Sequence, residues 1–203
     1  MILNTSFVIV DLETTGLQAN LDNIVEIAGV KVLNGQIVDE WDTLVNPGIF
    51  VPQETTDITG ITTEMLKVAP RFPEVVDKFL QFLGEDSVFV AHNVEFDRGF
   101  VNSHLRREER LELKNPYLCT FKLAKLVHPN LARYGLGALA ETFQVDLPQA
   151  HRAIHDARAT AQLFVKFLNT LQAGGLKNLR DLPGIQNLPL EKYYAQDGQV
   201  SLF

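Results

Sequence analysis

Residues 7–12 form a short apolar run, rich in β-branched side chains, that leads directly into Asp11-Leu12-Glu13-Thr14-Thr15-Gly16. Such a strand is buried on both faces, so the chain needs a layer of structure on each side of it. The segments that follow supply those layers. Residues 24–33 and 36–45 flank Asn34-Gly35, the dipeptide that best accepts the positive φ angles of a tight hairpin turn. Residues 62–68 and 72–83 carry apolar side chains at helical spacing, with Pro73 near the start of the second segment and Gly84 after its end. Residues 87–91 read as a fourth strand. They pass into a helix over 94–109 whose charged end, 106–110, is expected in solvent. A short strand over 117–120, short helices over 121–127 and 136–143, and a long amphipathic helix over 153–171 complete the pattern, and Gly174-Gly175 stops the last helix. A strand and a hairpin followed by strands alternating with helices predict an α/β sandwich with a mixed sheet.

With 203 residues, 46% of them apolar, the chain can bury one core and carry a short appendage. We expect a domain over 1–173 and a flexible tail over 174–203. Cys119 is the single cysteine, which excludes an intrachain disulfide, suggests a buried packing role and suits a reducing cytoplasm. The first ten residues have no basic leader, so neither a signal peptide nor a membrane span is expected. A net charge of −7 excludes a generic DNA-coating protein, since affinity for phosphates ordinarily comes from lysine and arginine. Carboxylates that hold divalent cations reverse that objection, because the ions then dominate the local charge.

Three acidic clusters mark where such cations would sit. Asp11 and Glu13 project from the same side of the first strand, about 7 Å apart along the backbone. Two like charges so placed favour a hard cation such as Mg²⁺ or Mn²⁺, which prefers carboxylate oxygen. An isolated Asp-x-Glu would be read as two solvated acids, so the surroundings decide. His92-Asn93-Val94-Glu95-Phe96-Asp97 places a second carboxylate in the first turn of a helix that follows an apolar strand; helix capping alone would explain it. His151-Arg152-Ala153-Ile154-His155-Asp156 enters the long C-terminal helix. Five helical residues would separate His151 and Asp156 by roughly 140°, so His151 is expected in the loop before the helix, over a site that Asp156 lines.

The three clusters, in this order and at these edges, resemble the exonuclease motifs of the DEDDh family, which includes the proofreading epsilon subunit of bacterial DNA polymerase III. The resemblance spans residues 6–171. It implies an RNase H-like fold with a mixed five-stranded sheet and helices on both faces. It further implies that Asp11, Glu13, Asp97 and Asp156 hold two divalent cations, Mg²⁺ or Mn²⁺, while His151 takes a proton from the attacking water. Under the same resemblance a 3′-terminal nucleotide lies over Leu12, with Thr14 and Thr15 near its sugar and Phe96 supporting the pocket. Residues 58–62 look like the family's loop beside the substrate, although many relatives have histidine where Thr59 stands. Two cations about 3.5 to 4 Å apart can stabilise both the attacking and the leaving oxygen of an in-line displacement, and imidazole is suited to moving a proton near neutral pH. The expected activity is 3′–5′ hydrolysis of DNA ends to nucleoside 5′-monophosphates, in proofreading or repair. An exoribonuclease trimming RNA, or an idle module that binds a clamp or DNA ends, are the alternatives.

Other histidines carry less. His151 and His155 have the spacing of a zinc pair, but the chain lacks the glutamate of H-E-x-x-H and a third soft ligand. His155 is expected to be partly exposed. His155-Asp156 also matches the pair of HD phosphohydrolases, which are all-helical; the hairpin rejects that reading. His104 and His128 are expected in surface or packing roles, and Trp41 on a strand partly packed against a helix. The chain closes on Gln199-Val200-Ser201-Leu202-Phe203, which resembles the motif by which bacterial replication proteins bind the sliding clamp. There Leu202 and Phe203 would enter apolar pockets while Gln199 and Ser201 meet a polar rim. No polymerase-binding extension is expected beyond it.

Overall fold

The computed structural model of the chain describes residues 4–188; the pentapeptide 199–203 lies outside the described residues. Strands β1 (Phe7–Thr14), β2 (Ile24–Leu33), β3 (Gln36–Leu44), β4 (Val88–Ala91) and β5 (Tyr117–Cys119) form one sheet in the order β3-β2-β1-β4-β5. The pairings β1–β2 and β2–β3 are antiparallel, whereas β1–β4 and β4–β5 are parallel. The sheet is therefore mixed, with β1 at its centre. Asn34 and Gly35 turn the hairpin at φ 55° and 73°, which glycine accepts because it lacks a Cβ and asparagine tolerates better than most residues.

The alternation of β1 divides the core. Phe7 and Ile9 face the layer built by α5 (Thr120–Val127), α6 (Leu136–Phe143) and α7 (Ala153–Ala173), where Phe7 meets Phe164 edge-on at 4.9 Å. Val8, Val10 and Leu12 face α3 (Phe72–Leu83) and α4 (Val94–Arg107). Both faces of the sheet are thus covered by helices, as expected of a strand apolar on both sides. No helix among the described residues is long and apolar enough to cross a membrane.

The structure departs from the sequence reading in three places. Three helices, not two, follow the hairpin: α1 (Gln53–Thr59) precedes α2 (Thr63–Leu66) and α3. The sequence of α1, QETTDIT, has no apolar face to announce it. The charged run 106–110 is tied to its surroundings rather than simply solvated. Arg106 pairs with Glu112, Arg107 donates to Asn23 Oδ1 and to the carbonyls of Ala19 and Asp22, and Arg110 pairs with Asp77. The chain beyond α7 also stays on the domain as far as it is described. Leu179 and Leu182 are buried in the α7-side core, and Gln186 exchanges backbone hydrogen bonds with Tyr117. Amphipathic periodicity ends at Gly174, but isolated leucines suffice to hold a segment without any period.

Candidate active site

Asp11 and Glu13 leave β1 on the α7 side of the sheet, where Glu13 stands directly opposite Glu26 of β2. Asp156 reaches the same place from the first turn of α7, and one carboxylate oxygen from each of Asp11, Glu13 and Asp156 lies within 4.8 Å of the others. Asp97 arrives from the opposite layer, in the first turn of α4, buried and accepting a hydrogen bond from the Leu12 backbone N–H. It is close enough to Asp11 to repel its charge. The four acids therefore converge from both layers around the end of the central strand. This is the position outside the carboxyl ends of parallel strands where α/β proteins commonly bind ligands.

Burial raises every one of these groups, and the charges of neighbouring acids add to it at Asp11 and Glu13. Burial, then the neighbouring Asp97, Asp156, Glu13 and Glu26, hold Asp11 well above the usual carboxylate range. Glu13 is pushed up to about 8, by burial first and then by Asp156, Glu26 and Asp97, and burial raises Asp97 to about 7. Asp156 is also raised by burial, although the backbone N–H groups of His151 and Arg152 and the nearby imidazoles of His151 and His155 oppose this. The pattern fits a divalent-cation site: hard oxygen donors, crowded enough to repel one another.

A cation does lie nearby, but it is committed elsewhere. The Arg152 guanidinium donates to both oxygens of Glu26, from Nε at 3.2 Å and from its terminal amine at 2.8 Å, and the Ala153 N–H is a third donor at 2.9 Å. The Arg152 backbone N–H meanwhile donates to Asp156 at 3.1 Å. His151 precedes this anchor with φ 63°, a left-handed conformation that costs a non-glycine residue roughly 1–3 kcal/mol. Its side chain is exposed, outside the helix as the spacing required. Glu26 and Arg152 were missed in the sequence. The signal was there: a lone glutamate in the apolar run IVEIAGV must find a partner if it is buried.

The residues expected to contact a nucleotide fall into distinct settings. Leu12 is 5% exposed and packed into the α3–α4 core, leaving mainly its backbone to offer a ligand. Phe96 is half-buried with its ring 4.8 Å from that of Phe100. Thr14 donates to the Gly16 carbonyl at 2.6 Å, and Thr15 is buried, accepting the Asn23 N–H at 2.9 Å. The segment 58–62 is brought beside β1 by Thr55, whose hydroxyl donates to the Thr14 carbonyl, while Thr59 closes the end of α1. His155 is half-buried. His104 is buried, donating from Nδ1 to the Phe100 carbonyl and accepting the Ile24 N–H at Nε2; His128 packs against Phe143 and Phe167.

Carboxylates gathered at the end of the central strand of a mixed five-stranded sheet, with helices on both faces, define a nuclease of the RNase H-like fold. The chain belongs to the exonuclease family, whose sequence pattern matches residues 8–164. It is 40% identical over 170 residues to the DNA polymerase III epsilon subunit of Aquifex aeolicus, with 84% of each chain covered. It is 42% identical over 183 residues to the PolC-type DNA polymerase III of Caldanaerobacter subterraneus, where 90% of this chain spans 13% of that much longer protein. Among solved structures, exonuclease X in complex with 5′-overhanging duplex DNA superposes with a TM-score of 0.70 at 30% identity, over 87% of this chain and 96% of that one. The chain is accordingly an exonuclease of the 3′–5′ type.

Proposed function

We propose that this exonuclease removes nucleoside 5′-monophosphates from DNA 3′ ends, with Asp11, Glu13, Asp97 and Asp156 as the metal-holding acids and His151 as the base. The observation that carries this reading is the meeting of three carboxylates within 4.8 Å, with Asp97 beside them and Arg152 occupied by Glu26. Two divalent cations bound there, Mg²⁺ or Mn²⁺, would supply charge to the attacked phosphate and to the attacking and leaving oxygens. The chain's own part is to hold the acids in place across two layers and to offer His151, from an exposed left-handed turn, to take a proton from the attacking water. The backbone around Leu12, with Thr14, Thr15 and Phe96, borders the space for the terminal nucleotide.

DNA is favoured as the substrate because the relatives of highest identity named above are DNA polymerase III subunits and an exonuclease seen on DNA. The same relatives support a role in proofreading or repair. Residues 199–203 are proposed to bind the sliding clamp, with Gln199, Ser201, Leu202 and Phe203 making the contacts and the rest of the tail as tether. The test is purified protein on end-labelled DNA and RNA with Mg²⁺, Mn²⁺ or chelator. Stepwise shortening of DNA from the 3′ end, abolished by chelator, is expected; faster shortening of RNA would transfer the assignment to an exoribonuclease.

A further inference from the structure

At the β5 side of the same strand ends, cations gather on a protein that is otherwise acidic. Lys125 of α5 holds its Nζ 4.3 Å from the centroid of the Phe121 ring and 5.6 Å from that of Tyr134, and the two rings meet edge to face at 6.3 Å. This contact fixes the ammonium while leaving Lys125 exposed. Arg133, beside Tyr134, is exposed and makes no side-chain hydrogen bond or ion pair among the described residues. Lys122, one turn before Lys125, pairs with Glu95.

The loop that carries Arg133 is tied to the sheet. The Tyr134 carbonyl lies 3.0 Å from His92 Nε2, and His92 Nδ1 lies 3.0 Å from the Thr120 hydroxyl. A carbonyl only accepts, so Nε2 carries the hydrogen. Burial keeps His92 neutral, leaving Nδ1 to accept from Thr120. Tyr134 also donates its hydroxyl to the His128 carbonyl at 2.7 Å.

Sheet register sets the distance from the acids. Ile9 pairs with Val90, and Ala91 with Cys119, so Asp11, His92 and Thr120 lie in one row across β1, β4 and the end of β5. Two strand spacings amount to roughly 10 Å. That puts Thr120, the first residue of α5, about three nucleotides from the acids at the ~3.4 Å rise of a stacked strand, with Lys125 a further five residues, about 7.5 Å of helix rise, along α5. The opposite edge of the sheet is less suited to phosphate: β3 exposes Asp39 and Asp42, and the nearby Arg158 is occupied by Glu40.

Resting on the reading that the acids cut a nucleic-acid 3′ end, we infer that Lys125, seated on Phe121 and Tyr134, and Arg133, next to Tyr134 in the chain, bind backbone phosphates of the nucleotides upstream of the scissile bond. The incoming strand thus leaves the acids toward β5 and away from β3. A neutralised phosphate contact on a single strand contributes about 0.7 to the slope of log affinity against log salt.

The test is fluorescence anisotropy of a 5′-labelled oligothymidylate titrated with the full chain in Ca²⁺ at several salt concentrations, beside a cleavage assay in Mg²⁺. Replacing both Lys125 and Arg133 by alanine should lower the slope by about 1.4, and Arg133→Ala alone, which breaks no contact, by about 0.7. Replacing Lys166 and Lys177, exposed and removed from this row, makes the same change in net charge and should leave the slope in place. Equal slopes in the wild type and the Lys125/Arg133 double variant would overturn the site. So would an equal fall in the Lys166/Lys177 control, which would reduce the effect to bulk charge. A wild type that neither binds nor shortens DNA would instead sink the nuclease reading on which the site rests; shortening by a wild type whose slope ignores both cations would sink the site alone.

Discussion

Glu26 and Arg152 pair through both carboxylate oxygens, with the glutamate side chain 1% exposed and the arginine 26%. The pair clamps the mouth of α7 to β2, and the backbone of the same arginine holds Asp156. Lysine cannot reproduce the two-pronged contact. Arg152→Lys should therefore keep the fold but lower kcat about 10–100-fold, the cost typical of residues that orient metal ligands. Thermal melts and steady-state kinetics check both halves, and an unchanged kcat would show that the clamp does not orient the site.

Asp11→Ala and Asp156→Ala should lower activity by more than the ~10–100-fold expected of an orienting residue, since each removes a ligand itself. Both should leave the metal-free protein at least as stable as the wild type, because each relieves repulsion among raised carboxylates. Cleavage assays at ordinary Mg²⁺ concentration, beside melts in chelator, decide. Near wild-type turnover in either variant would remove that residue from the metal site.

His151→Ala should lower kcat by about 10²–10⁴-fold, the range of a general base. Mn²⁺ binding should persist, since the side chain stands outside the carboxylate group. Calorimetric titration reads this directly. Complete loss of Mn²⁺ binding would make His151 a ligand.

Without metal, stability should fall as pH rises from about 4 to 8. Glu13 and Asp97, raised to about 8 and about 7, keep protons in the folded state that carboxylates of the unfolded chain release near pH 4. The folded state binds more protons across this window, so the free energy of unfolding decreases with pH. A divalent cation displaces those protons, so Mg²⁺ should flatten the decline. The apparent Mn²⁺ affinity should rise between pH 6 and 8, by up to about tenfold per unit for each proton displaced. Melts with and without Mg²⁺, and Mn²⁺ titrations across this range, would expose the opposite trend if the acids were ionised without metal.

Replacing Leu202 and Phe203 by alanine should abolish binding to a bacterial sliding clamp in a surface-binding assay. Shortening of free oligonucleotides should be unaffected, because the tail would act by raising local concentration at a ring already on DNA. The need is physical: a chain of net charge −7 associates poorly with DNA unaided at physiological salt. Equal clamp binding by wild type and variant would remove residues 202 and 203 from the contact.

Local patterns carried much of this protein. The apolar run of β1, the Asn34-Gly35 turn, and the periodic α3 and α6 were legible because each depends on residues a few positions apart. The acids too were legible in type and order, since each stands at the edge of a predicted strand or helix. Folding in three dimensions decided what lies beyond that range. It brought Asp97 to β1 from the layer opposite Asp156, and joined Glu26 to Arg152 across 126 positions of chain. It also formed α1 from a polar stretch with no periodic face, and carried Leu179 and Leu182 back onto the core. Burial is a property of the packed whole: a carboxylate, a polar helix or a stray leucine shows its role only once its neighbours from distant chain surround it.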